Sequence, residues 1–177
     1  MKNTVSLLAI AVLFVTANQS LLAQDEHVAN KLFYTELGGP GIIMSAHFDG
    51  RFTSHSRLGL GYRLGAGFGV GKFEKEGSFD NERRTYYSIP VGLNYVLGKP
   101  AKSFTFEIGA GAAYLTRKVS LYNLDVVKPG NVIGFLSFMY RMMPVDGGFS
   151  FRVGLTPIIG TAGDLFPMGA LSLGYAF

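Results

Sequence analysis

Between positions 58 and 71 the chain sets a large apolar residue against glycine at almost every step, and this run restricts the possible folds more than any other. The even positions are Leu58, Leu60, Tyr62, Leu64, Ala66, Phe68 and Val70; the odd ones are Gly59, Gly61, Arg63, Gly65, Gly67, Gly69 and Gly71. Successive side chains of a strand point to opposite faces, so one face is wholly apolar and the other is bare except for an arginine. A helix is disfavoured, because each glycine costs about 1 kcal/mol relative to alanine in a helix interior. A soluble sheet would turn its large residues inward and leave polar ones to water. A glycine face offers water almost nothing, so it is expected to line a narrow, filled interior while the apolar face meets lipid.

The same period returns along the chain. Tyr87, Ile89, Val91, Leu93, Tyr95 and Leu97 alternate with Ser88, Pro90, Gly92, Asn94 and Val96. Phe104, Phe106, Ile108, Ala110, Ala112 and Tyr114 alternate with Thr105, Glu107, Gly109, Gly111 and Ala113. Phe149, Phe151, Val153 and Leu155 face away from Ser150, Arg152 and Gly154, and Leu171, Leu173, Tyr175 and Phe177 away from Ala170, Ser172, Gly174 and Ala176. Weaker patterns at 31–37, 42–52 and 132–143 bring the expected total to eight strands. Most are near the roughly 9–11 residues that a tilted strand needs to cross a bilayer.

If the first strand runs outward, positions 53–57, 98–102 and 144–148 are short periplasmic turns, while 38–41, 72–84, 116–131 and 160–167 are outer loops. Short turns on one side and longer loops on the other are the asymmetry of outer-membrane barrels. An even strand count returns both ends to one side, and closure is required because lipid offers a bare sheet edge no partner. The expected fold is an all-β, eight-stranded antiparallel up-and-down transmembrane barrel in a bacterial outer membrane.

The ends of the chain agree with that location. Lys2, an apolar run at 5–15 and the small residue in Ser20-Leu21-Leu22-Ala23 have the layout of a cleaved signal peptide over 1–23, leaving 24–177 as the barrel. The apolar run is short for a membrane span of about 20 residues. With no cysteine there is no lipid-attachment site, disulfide or thiolate metal site. The net charge of +4 is too small and scattered to argue for nucleic acid. At the other end, Leu171, Leu173, Tyr175 and Phe177 form an alternating strand ending in an aromatic residue. This resembles the C-terminal signal by which outer-membrane barrels engage their assembly machinery, and this strand is expected to pair with the one near Phe33.

Three phrases carry a wider likeness: Phe33-Tyr34-Thr35-Glu36-Leu37-Gly38-Gly39-Pro40-Gly41, Ser88-Ile89-Pro90-Val91-Gly92-Leu93-Asn94-Tyr95, and Gly169-Ala170-Leu171-Ser172-Leu173-Gly174-Tyr175-Ala176-Phe177. In this order the chain resembles the small outer-membrane β-barrel proteins of Bacteroidetes. The resemblance implies a Gram-negative cell envelope and a fold, and no particular activity.

Candidate chemistry is sparse. The glycines at every second position lack the G-x-G-x-x-G spacing and following helix of a dinucleotide loop. His47 alternates with Ser45, Asp49 and Arg51, but neighbours two apart on a strand stand about 6.6 Å from each other, which argues against direct contact and against a hydrolase. No catalytic, cofactor or metal residues are assigned, and the chain is read as non-enzymatic. The inward positions carry Glu36, Asp49, Arg51, Arg63, Glu107, Arg141 and Arg152, three acids against four arginines. An eight-stranded interior is just wide enough for side chains to fill, so these charges are expected to pair as a plug. Outward Tyr62, Tyr87, Tyr95, Tyr114, Tyr140 and Phe52 suit interfacial girdles. The expected role is structural, or surface interaction through loops 72–84 and 116–131 with an extracellular partner. The alternatives are a narrow channel or carrier for small or hydrophobic solutes and, less favoured, a soluble lipocalin-like carrier.

Overall fold

The alternating segments form strands, and the strands close on themselves. In a computed structural model, which describes residues 28–75, 78–119, 130–160 and 163–177, the elements are β1 (Lys31–Gly38), β2 (Met44–Arg51), β3 (Gly59–Lys75), β4 (Ser78–Leu97), β5 (Phe104–Val119), β6 (Gly130–Met142), β7 (Gly148–Leu155), β8 (Ile158–Ile159), β9 (Leu165–Phe166) and β10 (Gly169–Ala176). The signal peptide expected at 1–23 lies outside the described residues. With β7–β8 and β9–β10 each counted as one interrupted strand, eight strands result; those adjacent in sequence are adjacent in the sheet, all antiparallel, and the β10–β1 and β5–β6 pairings close the ring.

Two of the eight walls are interrupted by proline. β7 and β8 pair with β6 in one continuous register, broken at Thr156 and Pro157; β9 and β10 are likewise broken at Pro167 and Met168. Proline has no N–H to give the ladder. The break is bridged where the Thr156 amide donates to the Met168 carbonyl at 2.6 Å and the Leu136 amide to the Pro157 carbonyl at 3.0 Å. The closing seam sets Phe33 opposite Tyr175, and Phe177 and Lys31 exchange two backbone hydrogen bonds of 3.0 Å.

The expected outer loops are shorter than their polarity suggests. Within 72–84, Lys72 pairs with Arg83, Phe73 with Glu82 and Lys75 with Ser78. Within 116–131, Val119 pairs with Gly130, and 120–129 lie outside the described residues. Part of 160–167 is the β8–β9 ladder. Loss of apolar alternation marks where the apolar outer band ends, whereas backbone pairing continues beyond it. The 38–41 segment is corrected more deeply. Gly39, Pro40 and Gly41 form a buried 3-10 turn folded into the barrel, touching β3, β4, β5 and β10.

The two faces separate as the alternation requires. Leu64, Phe68, Leu93, Leu155, Leu173 and Tyr175 are exposed outward, whereas Arg63, Asn94, Glu107, Arg152 and Ser172 are buried inward. Several aromatics meet near the short-turn end: ring centroids are 5.6 Å apart for Phe52 and Tyr62, 5.6 Å for Phe104 and Tyr140, and 6.3 Å for Phe48 and Phe177, while Tyr87 and Tyr114 are exposed toward the loop end.

The glycine face gives room to its neighbours' side chains. A Cβ on Gly67 would stand 2.5 Å from the Ser88 hydroxyl and 2.9 Å from the Ser45 Cβ, while one on Gly111 would lie 2.5 Å from the Phe135 ring. Barrel stagger then decides which inward residues share a level. Following paired residues around the wall leads from Leu32 to Asp49, Arg63, Gly92, Gly111, Phe135, Ile158 and Phe166. One circuit therefore climbs from the short-turn end to the loop end, as strand tilt and shear demand.

Candidate functional site

The lumen is stacked in layers. Nearest the short turns, Ala29, Leu32, Tyr34, Met143 and Ala176 form a small apolar floor. Beside it Arg57, in the β2–β3 turn, is buried and donates to the carbonyls of Met143 (2.6 Å), Pro100 (2.9 Å), Lys99 (3.3 Å) and Lys102. One guanidinium thus ties all three short turns together. Burial first, and the nearby Arg141 charge second, lower its pKa from the ordinary arginine value. Sequence reasoning placed Arg57 merely in a turn; nothing local marks an arginine whose acceptors lie on other turns.

Above the floor, the structure brings Glu36, Asp49, Arg51, Arg63, Glu107, Arg141 and Arg152 into one connected network. Glu107 is its hub, accepting from Arg152 Nη2 at 2.6 Å, from Arg141 Nη1 at 3.0 Å and from Arg63. Asp49 accepts from Arg51 at 2.6 Å, from Arg141 at 3.1 Å and from Asn94, whose carbonyl oxygen in turn accepts from Arg51 at 2.5 Å. Glu36 accepts from Arg152 at 3.2 Å and from the Ser172 hydroxyl at 2.7 Å.

The strand register explains the dependence on Glu107. Arg141 and Arg152 stand directly opposite each other on β6 and β7, a like-charged pair that destabilises a sheet unless an acid lies between. Arg63 keeps two guanidinium nitrogens without a hydrogen-bond partner among the described residues, in keeping with four arginines against three acids. Tyr34, unassigned in the sequence reading, lies under the Arg152 guanidinium, 4.3 Å from its carbon, and stacks on His47 at 5.0 Å. It shares the parity of Glu36, a signal that could have found it. Asn94 and Ser172 share the inward parity too.

His47 corrects the distance argument made from strand rise. Its Nε2 lies 2.8 Å from the Ser45 hydroxyl, since a long ring spans what the backbone separates. The same nitrogen faces Glu36 Oε1 at 3.7 Å, and Nδ1 has no partner among the described residues. A nucleophile–base–acid relay needs the base to use one ring nitrogen on each side, so this trio is not arranged for acyl transfer. Among the described residues no group of three or more His, Cys, Asp or Glu could hold a metal ion.

Toward the loop end the lining turns apolar. Tyr86, Ala113, Leu115, Ile133, Phe135 and Ile158 are buried together, with Ile42, Phe166 and Met168 packed against them. The C-terminal residues Leu171, Leu173, Tyr175 and Phe177 are exposed on the outer face, remote from this interior.

Among solved structures, the chain resembles the N-terminal β-barrel domain of OprF from Pseudomonas aeruginosa, with a TM-score of 0.51 and 14% identity over 87% of this chain and 100% of that one. At that identity the likeness concerns the fold. No protein-family model matches the chain, and neither does any curated protein.

Proposed function

We propose that this chain is a non-enzymatic outer-membrane barrel whose lumen is shut by its own side chains, and which serves the envelope structurally or presents its long hairpins to an extracellular partner. The observation that carries this reading is the buried network around Glu107, in which seven charged residues occupy a lumen already narrow at eight strands. A largely apolar exterior suits lipid, with the ring closed by the β10–β1 and β5–β6 ladders. A soluble carrier would have to expose that exterior to water, which counts against the lipocalin-like reading. The hairpins of β3–β4 and β5–β6 extend well past β1, β2 and β7, the longest strand having 20 residues against 8, and they form the surface most available to a partner. Export by a signal peptide at 1–23 and recognition of Leu171, Leu173, Tyr175 and Phe177 by the barrel assembly machinery belong to the same proposal, as does membership of the Bacteroidetes-type family.

A narrow channel is the second reading, favoured by the surplus arginine, which would make any opened lumen prefer anions. Planar-bilayer recording decides between the two. The purified, folded barrel is expected to be silent, and sustained unitary steps would replace the plug with a channel.

A further inference from the structure

The β1–β2 connection turns into the lumen, and its geometry is strained. Ile42 has φ 72 and ψ −61, and among the described residues it is the only non-glycine with positive φ. The Ile43 amide donates to the Gly41 carbonyl at 3.0 Å, so Ile42 is the centre of a γ-turn of the rarer, strained hand. A β-branched residue is a true outlier there. Its side chain is nevertheless anchored in the apolar layer.

The inward turn packs against β3, β4, β5 and β10, while Gly38 before it stays in register with Ala170 of β10. Three backbone hydrogen bonds close the turn on itself: Gly38 to Ile43 at 2.9 Å, Ile42 to Gly39 at 3.0 Å and Ile43 to Gly41. Just beneath lie Glu36 Oε1 and the Ser88 hydroxyl, which have no hydrogen-bond partner among the described residues. A Cβ on Gly39 would stand 2.5 Å from Glu36 Oε1, and one on Gly41 3.9 Å from the Ser88 hydroxyl, which shows how closely the turn covers them. Two costs therefore oppose the closed position, backbone strain and unpaired buried polar atoms. Burial of Pro40 and of part of Ile42 favours it, by an amount of the same order.

We propose that residues 39–42 are an inner lid, which swings toward the loop end while the β1–β10 ladder through Gly38 and Ala170 stays closed, and which admits water and small hydrophilic solutes to a niche formed by Glu36, Ser45, His47 and Ser88. This device lies above the charged layer and does not depend on whether that layer conducts.

Because the chain has no cysteine, single reporters test this directly. Ser45→Cys places a thiol beneath the lid, and Ser137→Cys places one that is equally buried but beside Gly109 on another wall. Each is reacted in lipid vesicles with a small charged methanethiosulfonate, with and without Ile42→Ala, and the folded fraction is checked by gel mobility before and after boiling. Removing the anchor is expected to speed labelling at position 45 by about tenfold or more and to leave position 137 unchanged. No acceleration at 45, or equal acceleration at both positions, overturns the lid: the first shows a fixed turn, the second a barrel loosened as a whole.

Discussion

The charged middle of the lumen and its apolar outer layer occupy the same barrel and are held in opposite ways. In the middle, each carboxylate serves several donors, and Glu107 alone satisfies three arginines from β3, β6 and β7. In the outer layer, Phe135 lies against Gly92 and Gly111, where shape rather than charge decides the fit. The first arrangement fails when any single partner is lost, because a buried charge left alone is costly. The second loses only what the missing atoms contributed, plus a cavity term. A narrow barrel can be filled with charge only if the acids are shared, and three acids among four arginines leave no spare one.

The largest expected effect comes from breaking the hub. Glu107→Gln should destabilise the barrel by about 3–5 kcal/mol, read from urea unfolding in lipid vesicles, because the acid shared by Arg63, Arg141 and Arg152 is then neutral and the facing pair Arg141 and Arg152 keeps only Asp49 and Glu36. The same variant is the one most expected to conduct. Phe135→Ala should cost about 3 kcal/mol and stay electrically silent, since the charged layer below is intact. If it cost more than Glu107→Gln, or conducted by itself, the apolar layer would be the principal closure and the comparison would be reversed. Arg57→Ala should cost about 2 kcal/mol through lost charged hydrogen bonds to the three short turns, without changing conductance. Ser172→Ala should be the mildest, about 1 kcal/mol, since Glu36 keeps Arg152. An effect there as large as at Glu107 would mean the network has no hub.

Much of this site was legible because a strand has only two faces. Parity alone put Glu36, Asp49, Arg51, Arg63, Glu107, Arg141 and Arg152 inside, and would equally have put Tyr34, Asn94 and Ser172 there. Residues outside the alternation were not legible. Arg57 is a turn residue whose acceptors lie on two other turns, and the Gly39–Gly41 turn carries glycine and proline, which read as an exposed loop as readily as a buried one. The polar stretch 72–84 read as loop because its apolar alternation stops, whereas its backbone pairing continues through Lys75 and Ser78.

By itself the sequence determined the period, and with it the strands, their number and which side of the wall each residue takes, because a pleat leaves side chains no third direction. Tertiary structure decided which inward residues meet. Closure with tilted strands sets Asp49 opposite Arg63 and carries the same level round to Phe135 and Ile158, and it bends the first turn inward over Glu36. Those contacts depend on the stagger of the whole ring, a property of closure that no single strand encodes.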